Sequence, residues 1–393
     1  MPAPPAASDH RGDLAEIVVD VAAIRHNVRT LRELTGVPVI AVVKADGYGH
    51  GMVESARAAR AGGATWIAVV TVQEALELRS AEYDGPLLCW LTLPGVDLGR
   101  AVEEGIDLTA YSVAELDDIA AAAEAVGRRA RVQIKVDTGL HRGGAPRATW
   151  AEVFARARAG ELAGSWKITG LWSHFACSDE PEHPANDRQE QAFRAALALA
   201  ADNGLQPGLV HLANSAAAVL RPSARFDAVR CGIAIYGLDP APGRTPDIGL
   251  VPAMTVRSEL AMVKELAPGD AVSYGQRWTA DRPTTVGLVP VGYGDGIPRH
   301  AFHEGGSAEV AVGGKRRPIR GTVCMDQFVV DLDGDRAEIG DEVVLFGPGA
   351  DTPTAQDWAE ACGTINYEIV TRIGGRMTRT YVDSEAPAGE EPS

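Results

Sequence analysis

Val39-Ile40-Ala41-Val42-Val43-Lys44-Ala45-Asp46-Gly47-Tyr48-Gly49-His50-Gly51 sets five apolar residues ahead of a lysine and three alternating glycines. A short apolar run rich in β-branched residues, bounded by glycines, reads as a fully buried strand. Lys44 stands where that strand runs out. Lysine is strongly hydrated and is rarely accepted in apolar surroundings unless its amine has chemistry to perform. Glycines at 47, 49 and 51 let the backbone turn tightly or approach a ligand closely. A lysine held this way is a candidate Schiff-base nucleophile. The plainer alternative is a strand-end lysine whose amine snorkels to solvent.

The rest of the chain bears on that choice. Short apolar runs recur at 37–43, 65–71, 86–91, 107–112, 131–138, 166–175, 209–214 and 226–230, separated by helical segments. Eight strands alternating with helices predict an α/β fold, a (β/α)₈ TIM barrel, rather than an open doubly wound sheet. The glycines after the first strand have GxGxG spacing and follow a lysine, which gives little support to a dinucleotide fingerprint. A leading strand at 16–20 precedes a helix with apolar Val21, Ile24, Val28, Leu31 and Leu34, which Asp20 can cap.

From about residue 250 the texture changes to alternating runs broken by Gly, Pro and Asp, with Gly313-Gly314 as a hairpin signal. The reading is a barrel domain over 14–245, then a mostly antiparallel β domain over 246–383 with a helix near 355–361. The leading strand is free to join either. The Pro- and Gly-dense stretch 237–249 is the expected join, and residues 1–13 and 384–393 read as disordered tails.

The chain has 393 residues, 46% hydrophobic, with a net charge of −16, a balance that argues against nucleic acid or an anionic membrane as partner. No apolar run approaches the ~20 residues of a transmembrane helix. Residues 1–11 contain no apolar core of a signal peptide. Five cysteines without a CxxC pair suit reduced thiols better than a disulfide framework. The expectation is a cytoplasmic protein.

In a barrel the active groups project from the C-terminal strand ends. Those ends carry Lys44, then Lys135 leading into Asp137-Thr138-Gly139-Leu140-His141-Arg142, then His174, Asn214-Ser215 and Arg230. Ser215 lies before a helical run as a plausible N-cap, and Cys231-Gly232-Ile233 offers backbone amides, so a phosphate fits there. A phosphate-bearing aldehyde that meets a lysine is pyridoxal 5'-phosphate.

These residues carry a resemblance. The segments AVVKADGYGHG (41–51), KVDTG with Arg142, SHF (173–175), ANS (213–215), VRCGIAIYG (229–237), SYG (273–275), GYGDG (292–296), VCMDQ (323–327) and INYE (365–368) are similar, in order, to those of the alanine racemases. The resemblance implies that Lys44 carries the cofactor and is the base on the face of the D-enantiomer. It also implies that Tyr274 is the opposing base, reaching in from the other subunit of a homodimer. Arg230 would face the pyridine nitrogen. Tyr48, Ser215, the backbone of Gly232 and Ile233, and Tyr367 would hold the phosphate, and His174 and Asn214 would complete the cofactor site. Arg142 and the backbone N–H of Met325, the latter also from the partner, would hold the substrate carboxylate. Tyr293 and Asp326 would support the site. Lys135, matching a position that is often carbamylated, would orient Arg142; the alternative is an ordinary ion pair with Asp137.

Two bases on opposite faces suit racemisation, which removes a proton from one face and returns one to the other. A phenol ordinarily ionises near pH 10, so a tyrosine base needs positive charge close by, which His174 and Arg230 can supply. A permanent cation such as Arg230 does not readily give the ring nitrogen a proton, which disfavours transamination. The expected activity is interconversion of L- and D-alanine, supplying D-alanine for peptidoglycan. The alternatives are a serine or broad-specificity racemase, a decarboxylase of related fold, and a non-catalytic carrier of the same cofactor. Leu140-His141 and Gly143-Gly144 around Arg142 depart from the family's usual residues and leave substrate breadth open. Asp331, Asp333, Asp335 and Glu342 have partial calcium-loop spacing, but Arg336 replaces the required glycine. The histidines fall at no zinc spacing, and no metal is expected. His50 reads as loop scaffold.

Overall fold

The computed structural model describes residues 14–93 and 95–384. The expected tails lie outside them, except for Ser384, whose N–H reaches Asp20 at 3.4 Å. The first strand, β1 (Ala15–Asp20), ends at Asp20, whose carboxylate accepts from Ala22 N–H (2.9 Å) and so caps the helix Val21–Thr35. Ile24, Val28 and Leu31 share one face of that helix at helical spacing, and all are buried.

Eight parallel strands follow: β2 (Val39–Val42), β3 (Trp66–Thr71), β4 (Leu87–Leu91), β5 (Asp107–Ala110), β6 (Ala130–Lys135), β7 (Trp166–Trp172), β8 (Val210–His211) and β9 (Val229–Cys231). Their order is β8-β7-β6-β5-β4-β3-β2-β9, and a bridge between His211 and Ala228 brings the two ends together. The result is the nearly closed (β/α)₈ barrel expected from the alternation. Helices cover its outside and side chains fill its inside, so β2 is buried at every residue and its sequence shows no polar alternation.

The second sheet has nine strands. They run in the order 262–266, 284–289, 328–331, 315–320, 309–312, 342–346, 254–259, β1 and 378–382. Every pairing is antiparallel except the last, where Ile17 sits beside Arg379 in parallel. β1 therefore joins the β sheet although the whole barrel follows it in sequence: Ile17 also pairs with Val256. Gly313 and Gly314, both at positive φ (60° and 72°), turn the hairpin between 309–312 and 315–320. Besides the helix Ala355–Cys362 there is a second, Asn366–Arg372, which the sequence reading did not separate.

Residues 238–253 carry neither helix nor strand. Buried Asn27 ties this crossing to the barrel, with its amide bonded to Ile235 O (3.1 Å), Val251 O (2.8 Å) and Val251 N–H (2.8 Å). Gly237 sits at φ +81°, and a Cβ there would stand 1.8 Å from Val251 O. Gly237→Ala should lose about 3 kcal/mol or more of stability through the left-handed backbone and the clash together. Gly243→Ala, at φ +76° in open space, should lose only about 1 kcal/mol. Chemical denaturation of the two variants checks the contrast.

Candidate active site

Lys44 opens a turn built with the wrong hand. Ala45, Asp46, Gly47 and Tyr48 have φ of 53°, 52°, 63° and 53°, values that only glycine accepts without strain. Both sheets hold the turn in place. From the barrel side, Glu74 accepts Ala45 N–H (2.8 Å) with one oxygen and Val70 and Thr71 N–H with the other. Asp46 accepts Met52 N–H (2.9 Å) and pairs with Arg379 of the last strand (2.8 Å). A Cβ at Gly49 would stand 2.3 Å from Val370 O, and one at Gly51 would stand 1.9 Å from Tyr381 Oη. These two glycines therefore admit the helix Asn366–Arg372 and the last strand to the turn rather than a ligand.

His50 lies fully buried beneath it. Its Nδ1 is 3.1 Å from Gly47 O and 3.0 Å from Tyr48 O, which makes Nδ1 the donor, and its ring stacks on Tyr236 at 4.3 Å. Burial pushes its pKa down to about 4, against the two backbone hydrogen bonds, so the ring is neutral scaffold.

At the far side of the cavity Arg230 is 4% exposed. Nη1 donates to His211 Nδ1 (2.8 Å) and His211 O (3.1 Å). Nη2 donates to Ser173 O (2.7 Å), Leu212 O (2.9 Å) and His174 Nδ1 (3.1 Å). Because His211 Nδ1 accepts, its Nε2 carries the hydrogen and donates to Gln133 (2.8 Å). Gly170 leaves room for that glutamine, since a Cβ there would stand 2.8 Å from its amide carbon. The sequence reading missed His211 and Gln133. A histidine and a glutamine on barrel strands β8 and β6, either side of β7 and each pointing inward, were the available signal. Burial works against the Arg230 charge, pushing its pKa down to about 9. A guanidinium so fully engaged as a donor nevertheless stays protonated. Among the described residues only its Nε has no protein acceptor.

His174 is half-buried in the cavity wall. Burial, then Arg230, hold its pKa well below the ordinary value. With Nδ1 accepting from Arg230, it is a neutral ring whose Nε2–H is free to donate. It therefore carries no positive charge of its own, contrary to the sequence expectation, whereas Arg230 keeps its charge.

Lys44, Tyr48, Trp90, Lys135, Arg142, Trp172, His174, Asn214, Ser215, Arg230, Gly232, Ile233 and Tyr367 converge, with Val42, on one cavity of about 190 Å³. Burial, then Arg142, lower the Lys44 pKa. Burial, then Arg230 and Arg142, push that of Lys135 down to about 8. The Lys135 amine lies 4.7 Å from the Trp172 ring centre, and the Arg230 guanidinium lies 4.8 Å from it. Asp137 turns away from Lys135, accepting Gly139 N–H (2.9 Å), His141 N–H (3.2 Å) and the His141 ring (3.0 Å). The alternative Lys135–Asp137 pair is thus not formed, because the carboxylate is spent on shaping the loop that carries Arg142. Among the described residues no carboxylate lines the cavity, whereas two lysines and two arginines do. Such a donor set suits a ligand with several negative charges.

On the side of the cavity that carries Ser215 and Gly232, burial raises the pKa of Tyr48 and of Tyr367, which keeps both phenols as neutral donors. Ser215 Oγ accepts Gly232 N–H (2.9 Å). A Cβ at Gly232 would stand 2.3 Å from Tyr48 Oη, so only glycine lets backbone and phenol share this space. The helix N-cap is Asn214 and not Ser215. Its side chain accepts from Ala217 N–H (3.1 Å) and donates to Ser178 (2.8 Å).

Tyr274, Tyr293, Met325 and Asp326 do not line this cavity. They sit on the β sheet's connections, with Tyr274 71% and Met325 54% exposed. The acidic residues weighed as a calcium loop are engaged elsewhere: Asp331 with Thr284 (2.7 Å), Asp333 with Arg282, and Asp335 with Lys315 (2.7 Å) and Arg317.

Residues 19–240 match the family described as alanine racemase, N-terminal domain, and residues 253–381 match alanine racemase, C-terminal domain. A protein named alanine racemase from Thermobifida fusca is 52% identical over 369 residues, 93% of this chain and 98% of that one. Another, from Streptomyces coelicolor, is 51% identical over 378 residues, 94% and 96% of the two chains. Among solved structures, the alanine racemase of a D-cycloserine-producing Streptomyces lavendulae superposes with a TM-score of 0.92 at 48% identity, covering 94% of this chain and 97% of that one.

The buried imidazole predicts a pH dependence of stability. His50 is neutral when folded down to about pH 4, whereas in the unfolded chain it takes up a proton near pH 6.5. Its contribution is therefore fully present above pH 6.5 and is lost as pH falls toward 4, by up to about 3 kcal/mol. Melting temperatures over that range should fall less steeply in His50→Gln than in the wild type.

Proposed function

We propose that this chain, which belongs to the alanine racemase family, interconverts L-alanine and D-alanine. The observation that carries the reading is the cavity that joins the Lys44 amine to a buried Arg230, with two lysines, two arginines and, among the described residues, no carboxylate on its walls. Pyridoxal 5'-phosphate fits this donor set. Lys44, Tyr48, His174, Asn214, Ser215, Arg230, Gly232, Ile233 and Tyr367 would hold it. Bound there, it supplies an electrophilic ring that stabilises negative charge at the carbon losing its proton.

The chain's own residues do the rest. Burial and the Arg142 charge lower the Lys44 pKa, which favours the neutral amine that can take a proton from the face of the D-enantiomer. Tyr274 serves the opposite face. Its exposure on the β sheet, outside its own chain's cavity, fits a homodimer in which Tyr274 and the Met325 N–H complete the partner's site. Arg230, spent on carbonyls and neutral imidazoles, holds its charge in place without offering a proton. Arg142 orients the substrate carboxylate. Lys135 reacts as a neutral amine with carbon dioxide to give a carbamate and a proton, and the surrounding Arg142 and Arg230 favour the resulting anion. The enzyme is cytoplasmic and supplies D-alanine for peptidoglycan. Among the described residues no helix is long and apolar enough to cross a membrane.

Purified protein loaded with the cofactor should form D-alanine from L-alanine. Tyr274→Phe should slow this by about 10²–10⁴-fold, the usual loss on removing a general base, while the absorbance of the Lys44-bound cofactor persists. Racemisation by that variant at the wild-type rate would remove Tyr274 as a base. Lys44→Ala and Tyr274→Phe protomers, each inactive alone, should regain activity when mixed and reassembled, because one mixed site then holds both residues. Failure to complement would sink the shared site. Native mass spectrometry should show one carbon-dioxide adduct that disappears in Lys135→Ala.

A further inference from the structure

The Tyr274 ring has neither a hydrogen bond nor an aromatic partner within its protomer, among the described residues, and it is 71% exposed. Within the protomer its placement therefore depends on its backbone. That backbone is unusual: Ser273 has φ +64°, Gly275 +76° and Gln276 +47°. Non-glycine residues stay in this region only when their surroundings hold them there.

Thr322, 6% exposed, supplies that hold from a neighbouring segment. Its hydroxyl donates to Tyr274 O (2.9 Å), and its own carbonyl accepts from Ser273 Oγ (2.5 Å). The two bonds run in opposite directions and bracket the Ser273–Tyr274 peptide. Cys324 Sγ lies 3.3 Å from Ser273 Oγ, whose single hydrogen is already given to Thr322, so the thiol is the donor. Gly321 permits the close approach. It has φ +73°, and a Cβ there would stand 2.6 Å from Val272 O and 3.1 Å from Ser273 Cβ.

We propose that Thr322 is a positioning residue that aims the Tyr274 phenol at the reacting carbon. The proposal rests on Tyr274 acting as the second base, and the experiment separates the two ideas. In heavy water, the cofactor-loaded enzyme given D-alanine can exchange the α-proton through Lys44 alone, whereas L-alanine forms only when Tyr274 serves the opposite face. The ratio of deuterium wash-in to L-alanine formation therefore reports the placement of Tyr274. A loss of fold or cofactor lowers both rates together and leaves the ratio unmoved.

Thr322→Val keeps the shape and deletes the hydroxyl donor. It should raise the ratio about tenfold or more, given that ~1 Å of misplacement of a reacting group costs on the order of 100-fold. Ser273→Ala, which deletes the other bond, should shift the ratio in the same direction, and Thr322→Ser should hold it near the wild-type value. Tyr274→Phe is the benchmark for a missing base. If the benchmark rises and Thr322→Val does not, the positioning role is overturned. If the benchmark itself does not rise, the base assignment fails and the proposal fails with it.

Discussion

Residues 45–48 run through a left-handed turn, which an L-amino-acid chain adopts at a cost of about 1–2 kcal/mol for each residue with a side chain. Ala45, Asp46 and Tyr48 all bear that cost, and the turn persists because two sheets hold it from opposite sides. Glu74 on the barrel bonds its first amide, and Arg379 on the last strand pairs with Asp46. The close passage of Gly49 and Gly51 against Val370 and Tyr381 locks the rest. The position of Lys44 is thus a property of the docked pair of sheets, not of the barrel alone. Pairing β1 with strands 254–259 and 378–382 brings the last strand to the turn.

The electrostatics of the cavity follow from a similar economy. Gathering Lys44, Lys135, Arg142 and Arg230 with no carboxylate beside them among the described residues is unfavourable by itself. The protein answers by burial and by hydrogen bonding. Lys44 and Lys135 are pushed toward neutrality, and the Arg230 charge is spread over carbonyls and two imidazoles that burial keeps neutral. The same positive groups therefore tune the amines and leave a demand for negative charge that an anionic ligand would meet.

Much of the fold was legible because barrel strands and helices carry local signals. The run 39–43 is apolar at every position, as both faces of a parallel strand require, and the spacing of later runs gave the alternation. Lys44, Arg230 and Gly232 could be placed at strand ends for the same reason. What escaped depended on partners distant in sequence. The helix Asn366–Arg372 is short, and its buried face is defined by the barrel loop it packs on. His211 and Gln133 become a relay only when β6 and β8 flank β7. His174 looked like a source of charge until Arg230 was seen to occupy its Nδ1.

By itself the sequence determined the alternation that closes a barrel, the lysine at the end of its first strand, and a chain of motifs characteristic of one family. These are matters of period and residue type, which act locally. The tertiary structure alone decided the hand of the turn beneath Lys44, the neutral state of His174, and the exposure of Tyr274 away from its own cavity. Each of these is set by a contact across tens to hundreds of residues, where burial and hydrogen-bond partners, not local propensity, choose between conformations and protonation states.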